Sequence, residues 1–348
     1  MKNILDAMLN DMAKADELFK PTQFWINASK LILDELQTDE DFNNFRNLPI
    51  SREMFVPSYE FYYYKKHKTL FQRILSLPVK KNLLRIFEKS LTGADQAKND
   101  YRLFLATSTD KYPNLTSIGE SNIGNPVEYY SFDEQRYSQG FLNYLRGLNF
   151  LKRHADCKNI KRVIELGGGF GTLGEITQKA FKNTFYLNVD IPPVAAVSSY
   201  YLSQLLGKEN VFTYDQSKHL ETIDVSELEQ KYKCAVICPW QLPQLQGHFD
   251  LFVNFISFQE MEPHIVKNYI SIFEKLLNKT SHVLLRNSRF GKKIAKNKQD
   301  VGVIDQVTLD FIIKQFKNCT LVDRDYKVFG FYSKKSASEV AILKKNSF

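Results

Sequence analysis

From residue 162 onward the sequence predicts an α/β fold with a mostly parallel sheet covered by helices on both faces. Three observations predict it. Short β-branched apolar runs alternate with segments of helical period. The first such run, Val163-Ile164-Glu165-Leu166, passes into a glycine-rich turn and then into a helical pattern. The 150 or so residues before it carry mainly helical patterns.

In chain order, Leu31–Leu36 and Leu70–Phe87 place apolar residues at helical spacing, and Pro21, Pro57, Pro78 and Pro113 punctuate the region. Glu120–Pro126 is rich in turn formers. Ser131 precedes Glu134 by three residues, a capping-box spacing, so a helix is expected from there to His154, with Tyr137, Phe141, Leu145, Leu148 and Leu151 on one face. Beyond Lys161, strands are expected at Arg162–Leu166, Thr184–Val189, Val211–Tyr214, Cys234–Cys238, Phe249–Phe255, His282–Leu285, Thr320–Val322 and Val340–Leu343. Helices are expected at Leu173–Phe181, Val194–Leu206 and Ile265–Leu277.

A chain of 348 residues with 43% hydrophobic and 25% charged residues can bury a large core and gives no sign of disorder. The net charge of +8 suits either acidic partners or a lysine-rich solvated surface. Cys157, Cys234, Cys238 and Cys319 form no zinc spacing, so no metal site is expected, and reduced, buried thiols point to a cytoplasmic setting. Asp6 and Asp11 interrupt the N-terminal apolar residues, so no signal peptide is expected.

The stretch Val163–Thr172 carries the chemistry. An apolar strand holds Glu165 near its end, and Gly167, Gly168, Gly169 and Gly171 follow before a helix. Glycines there let the backbone turn sharply and approach a ligand without a Cβ in the way. The next strand ends at Asp190, roughly 20 residues on, where a carboxylate can accept both hydroxyls of a ribose. Dinucleotides and S-adenosylmethionine both use this layout, and Gly169–Gly174 also matches G-x-G-x-x-G. Three features favour S-adenosylmethionine. Glu165 would repel a pyrophosphate but suits a cation, the strand ends too early for the dinucleotide register, and a long helix precedes it. For the adenine edge, two places remain open: Asp215 with Gln216, or Pro239-Trp240-Gln241.

The run Val163–Gly171 resembles motif I of Rossmann-like methyltransferases. Ile123–Pro126, Val189–Pro192, Cys238–Leu242, Phe249–Asn254 and Ser257–Met261 resemble a family of sugar O-methyltransferases. The resemblance spans roughly Glu120 to Asn287 and implies a Rossmann-like methyltransferase domain over 131–348. Its sheet would be mostly parallel and seven-stranded. The helical patterning before it, over 1–130, is expected to form a region covering the acceptor site. It further implies S-adenosylmethionine as cofactor and methyl transfer to a sugar hydroxyl in polysaccharide or glycoside biosynthesis. The acceptor would be a nucleotide-sugar, glycan or glycoside. Glu165, Gly167, Gly168, Gly169, Gly171, Asp190, Ile191, Pro239, Trp240, Gln241 and Asn254 become the expected cofactor contacts.

In open α/β sheets ligands sit at the carboxyl ends of strands. There Glu260 is the first candidate for a general base and His264 the second, the latter for its near-neutral pKa. Gln259, Asn287 and Arg289 on the same edge, with Asn125, Tyr129 and Tyr130 from the preceding turn, are the expected acceptor contacts. The fourth strand leads into Asn254-Phe255-Ile256-Ser257 rather than the Asn/Asp-Pro-Pro-Tyr of amino-group methyltransferases, so no nucleic-acid partner is expected. The basic run 289–298 suits phosphate binding or a solvated loop. Lys65, Lys66, His67 and Lys68, with Arg73, Lys80, Lys81 and Arg85, suit peripheral contact with anionic membrane or a helix over the core. A dinucleotide-dependent oxidoreductase and an RNA-binding protein on a methyltransferase-like core are the competing readings.

Overall fold

The structure, a computed structural model, describes residues 1–59, 92–297, 299–329 and 338–346. The expected helix Leu70–Phe87 and the basic cluster Lys65–Arg85 lie outside the described residues.

Eight strands form the main sheet: β1 Arg162–Leu166, β2 Phe185–Val189, β3 Val211–Phe212, β4 Cys234–Ile237, β5 Phe249–Phe255, β6 Leu277–Ser288, β7 Cys319–Asp325 and β8 Ser338–Lys345. Their spatial order is β7-β8-β6-β5-β1-β2-β4-β3. The sheet therefore has one strand more than the seven expected, because the short β3 adds itself beyond β4. All pairs from β6 to β3 are parallel, and only β8 runs antiparallel, wedged between β6 and β7. Parallel neighbours need crossovers, which helices Thr172–Ala180, Val194–Leu206, Val225–Lys231, Pro263–Lys275 and Leu309–Gln315 supply. The first two cover one face and the last three the other; Val225–Lys231 and Leu309–Gln315 went unseen in the sequence because each spans only seven residues.

The inner strands are apolar because both faces are covered: every residue of β2 and β4 is buried. Alternate residues feed two cores. Leu251, Val253 and Phe255 of β5 join the layer under helices Gln139–His154, Thr172–Ala180 and Val194–Leu206. Phe252 joins the layer under Pro263–Lys275 and Leu309–Gln315. The chain leaves β1 outward through β2, then returns to place β5 on β1's other side. That reversal opens a crevice above the carboxyl ends of β1 and β5.

Among the described residues the N-terminal region is helical, at Lys2–Lys14, Gln23–Glu35, Asp39–Asn43, Pro49–Met54 and Ala94–Thr107. It shares the first core. Phe45 packs 5.3 Å from Phe170 and edge-on to Tyr201. Buried Arg46 pairs with buried Glu120 at 2.8 Å and lies over the Phe170 ring.

The spacing from Ser131 to Glu134 does not cap a helix. Tyr130–Phe132 and Gln135–Tyr137 form a hairpin whose central residues, Asp133 and Glu134, both have positive φ, as a tight two-residue turn demands. The helix starts at Gln139 with Ser138 as its cap, accepting from the Phe141 N–H. The four cysteines are free, and no described helix is long and apolar enough to cross a membrane.

Candidate active site

The glycine turn is tied to β2 along its length. Gly167 N–H donates to Val189 O, Gly168 N–H to Asn188 Oδ1, and Gly169 N–H to Asp190 Oδ2 at 2.9 Å. On its other side the Asn254 amide and the Ser257 hydroxyl both donate to Leu166 O. Gly167 and Gly168 have no room for a side chain: a Cβ on Gly168 would lie 2.5 Å from Asn188 Oδ1 and Glu165 Oε2. Gly169 differs. Its φ is +60°, yet a Cβ there would meet nothing closer than Phe55 O at 4.0 Å. Its missing side chain faces open space.

That space is a cleft of about 1090 Å³, measured to its open mouth. One wall is the glycine turn with Phe170 and Thr172, joined by Asp190, Ile191 and Val194 past β2 and by Pro239 past β4. The other wall is Phe255, Ile256, Ser257, Glu260 and Met261, past β5. The N-terminal region closes over it with Pro21, Thr22, Trp25, Met54, Phe55 and Pro57, and helix Gln139–His154 adds Asn143 and Tyr144. Ile256 holds φ at +76°, a costly conformation for a β-branched residue, and donates its N–H to Arg286 O.

Asp190 is almost fully buried in the cleft wall. Its oxygens accept from the Ile191 and Gly169 N–H groups. Burial pushes its carboxyl up to about 8, against the pull of those two bonds. Each oxygen keeps a further lone pair for a ligand hydroxyl.

Glu165 does not face the cleft. It sits fully buried beneath Gly168, where the hydroxyls of Tyr144 and Tyr186 donate to it at 2.7 and 2.5 Å. Burial raises it to about 7, and the two tyrosine bonds act the other way. Its effect on a ligand passes through Tyr144, which lines the cleft and stacks flat on Phe255 at 4.8 Å.

Glu260 lines the cleft with its carboxylate engaged. Lys292 Nζ donates to Oε1 at 2.7 Å and Trp25 Nε1 to Oε2 at 3.1 Å, while its backbone carbonyl accepts from Thr22. It therefore pins the N-terminal cover as well as presenting an acceptor. His264 is exposed on the following helix and takes no part in the cleft wall, because the first turn of Pro263–Lys275 points inward with Ile265 and Val266 instead.

Several other expected contacts hold the frame rather than face the cleft. Gly171, φ +102°, abuts Ser198 and Leu202 and so lets two helices approach. Trp240 donates to the Tyr214 hydroxyl and packs edge-on against that ring. Gln241 is spent on Cys238 N–H and Ser217. Asn254, Asn287 and Gln259 form a buried amide chain: Asn287 Nδ2 donates to Asn254 Oδ1, Gln259 N–H to Asn287 Oδ1, and Ser288 N–H to Gln259 Oε1. These side chains are buried, and buried polar groups take hydrogen-bond partners within the protein. Asp215 pairs with Lys218 on the surface. Arg289 pairs with Glu339 at 2.7 Å, drawn to the β8 edge. Asn125 is exposed and bonds Asn44. Tyr129 donates to Ser121 O beneath Arg46 and Arg136, and Tyr130 to Glu128. None of these three lines the cleft; residues 21–57 do. Of the basic run, Lys293 pairs with Asp300 and Lys292 with Glu260, so these cations are internally matched, and Lys298 lies outside the described residues.

Trp25, Tyr144 and Arg286 line the cleft although none was among the expected site residues. Tyr144 and Trp25 carried no signal in their flanks, and Arg286 sat inside an apolar strand pattern where an arginine is itself the signal. No group of three or more His, Cys, Asp or Glu residues that could hold a metal occurs among the described residues.

No protein-family model matches the chain, and no curated protein matches it. Among solved structures it is similar to mitomycin 7-O-methyltransferase, with 8% identity over 92% of this chain and 67% of that one, at a TM-score of 0.37. It is similar to an S-adenosylmethionine-dependent methyltransferase from Clostridium acetobutylicum, with 11% identity over 59% of this chain and 92% of that one, at 0.40. A third is an N-methyltransferase from Bradyrhizobium japonicum, with 13% identity over 60% and 98%, at 0.36.

Proposed function

We propose that this protein is an S-adenosylmethionine-dependent methyltransferase acting on a hydroxyl of a sugar-containing acceptor. The observation that carries the cofactor reading is the pairing of Gly169 with Asp190. A glycine whose absent side chain faces open cleft is bonded to a buried carboxylate at the end of the neighbouring strand. That is a cradle for an adenosyl ribose, with backbone approach at one point and a two-oxygen acceptor beside it. In the dinucleotide register Gly171 would have to face the ligand, and here it faces Leu202. The acceptor reading rests on the sequence resemblance around Phe249–Met261 and on a half-covered cleft with aromatic walls.

Bound cofactor would supply a methyl group already activated on sulfonium. The residues then have three tasks. The glycine turn and Asp190 fix the adenosyl part. Trp25, Thr22 and Pro21 cover the cleft, so that the acceptor oxygen is aligned away from water. Glu260, paired with Lys292 and bonded by Trp25, accepts the hydroxyl proton through a free lone pair.

The first experiment is thermal stabilisation by S-adenosylhomocysteine against NAD. Stabilisation by the former alone is expected, and stabilisation by NAD alone overturns the cofactor reading. The second is a methylation assay with S-adenosylmethionine over nucleotide-sugars, glycan extracts and RNA, read by mass. Label in RNA and none in sugars overturns the acceptor reading.

A further inference from the structure

Among the described residues, Arg286 is the one cation lining the cleft without a partner. Lys20, the other lining cation, pairs with Glu17 at 2.7 Å. Arg286 lies on β6 opposite Phe255 of β5, on the face covered by helix Gln139–His154. Its guanidinium carbon lies over the Phe329 ring, 4.4 Å from the centroid. Its Nε is buried and bonds nothing. The charge that acts on it most strongly has the same sign: Arg146, which has taken Asp100 at 2.8 Å, and Asp100 also accepts the Tyr59 hydroxyl. Burial, and then Arg146, push the Arg286 guanidinium down to about 9, which still leaves it a cation at neutral pH.

A half-buried guanidinium without a counter-ion is costly, and this one lines the cleft. Cost of this kind is recovered when an oxyanion binds. The position separates this anion from the adenosyl cradle. In the order β6-β5-β1-β2, Arg286 stands three strand spacings from Asp190's strand, roughly 14 Å at about 4.8 Å per spacing.

We propose that Arg286 receives an anionic group of the acceptor, a carboxylate or phosphate, so that the substrate is an acidic sugar such as a uronate or a sugar phosphate. This rests on the methyltransferase reading for the word sugar, and on the cleft alone for the word acidic.

The test titrates the full chain, with and without S-adenosylhomocysteine, with glucuronate, glucose 6-phosphate and glucose at fixed ionic strength. Trp25 fluorescence in a Trp240→Phe background is the readout. One or both charged sugars are expected to bind about tenfold or more tighter than glucose, and whichever does so identifies the anion as carboxylate or phosphate. Arg286→Met should erase that preference, keep S-adenosylhomocysteine affinity within about twofold, and leave the melting temperature equal or higher, because it removes a half-buried charge that has no counter-ion among the described residues. Arg286→Lys should keep part of the preference. Three results overturn the proposal: no preference for charged sugars in the parent, an unchanged preference in Arg286→Met, or a tenfold loss of S-adenosylhomocysteine affinity in Arg286→Met, which would assign the anion to the cofactor. Failure of the parent to bind S-adenosylhomocysteine, with the charged-sugar preference intact, defeats the methyltransferase reading and leaves the Arg286 site standing.

Discussion

Replacing Gly169 by alanine separates the ligand-facing role of the glycine turn from its structural role. In the free protein the added methyl has room, since its nearest neighbour is Phe55 O at 4.0 Å. The fold therefore loses only the backbone cost of holding alanine at φ +60°, about 1–2 kcal/mol. In a chain of this size that lowers the melting temperature by roughly 1–3 °C. With an adenosyl group against the turn, the same methyl overpacks the contact at about 1–3 kcal/mol, or roughly 5- to 150-fold in Kd. Gly168→Ala is the contrasting variant. Its methyl would sit 2.5 Å from Asn188 Oδ1 and Glu165 Oε2 and 2.8 Å from the Tyr186 hydroxyl, so the fold itself should fail. Melting curves and calorimetry with S-adenosylhomocysteine on both variants read the difference. A folded Gly169→Ala protein that binds with parental affinity would refute the placement of the ligand against this turn.

Four further outcomes are expected. Glu260→Gln should lower turnover about 10²–10⁴-fold with cofactor affinity kept, whereas exposed His264→Ala should turn over normally; the reverse pattern in steady-state assays would displace Glu260 as base. Glu165 and Asp190 titrate near 7 and 8 when folded, above their ordinary values, so the folded state holds their protons longer. Their stabilising contribution is full below about pH 4 and is lost as pH rises through 7 to 8. The unliganded protein should therefore melt lower at pH 8.5 than at pH 6, and a Glu165→Gln, Asp190→Asn double variant should flatten that slope. Ligand hydroxyls that need ionised Asp190 should expel its proton, so calorimetry at pH 7 in buffers of different ionisation enthalpy should show proton release on S-adenosylhomocysteine binding, absent in Asp190→Asn. Arg46→Met, which strands buried Glu120, should cost about 3–5 kcal/mol in denaturant unfolding; a loss below 1 kcal/mol would show the pair to be dispensable.

The sequence by itself determined the α/β class and the strand–glycine–helix unit. Continuous apolar runs such as Phe249–Phe255 can be stable only as strands buried on both faces, and the φ values that Gly167 and Gly169 adopt are open to glycine at little cost. It also placed Asp190 beside the turn, since parallel pairing of β1 with β2 puts their carboxyl ends together. What it could not decide is which polar residues face the ligand. Glu165, Gln241, Asn254, Gln259 and Asn287 have the chemistry of contacts, yet each is spent on a neighbour from a strand or loop far along the chain. A local pattern carries no information on such partners. Likewise Trp25 reaches the cleft through a bond to Glu260, 235 residues away. Tyr144 reaches it because its helix crosses Phe255. The capping-box spacing at Ser131 failed for the same reason: the turn at Asp133-Glu134 and a cap at Ser131 are both locally sound, and pairing of Tyr130 with Tyr137 chose between them. Only the tertiary structure shows that Arg286 lines the cleft with no counter-ion among the described residues, because the lack of a counter-ion depends on the neighbours packed around it.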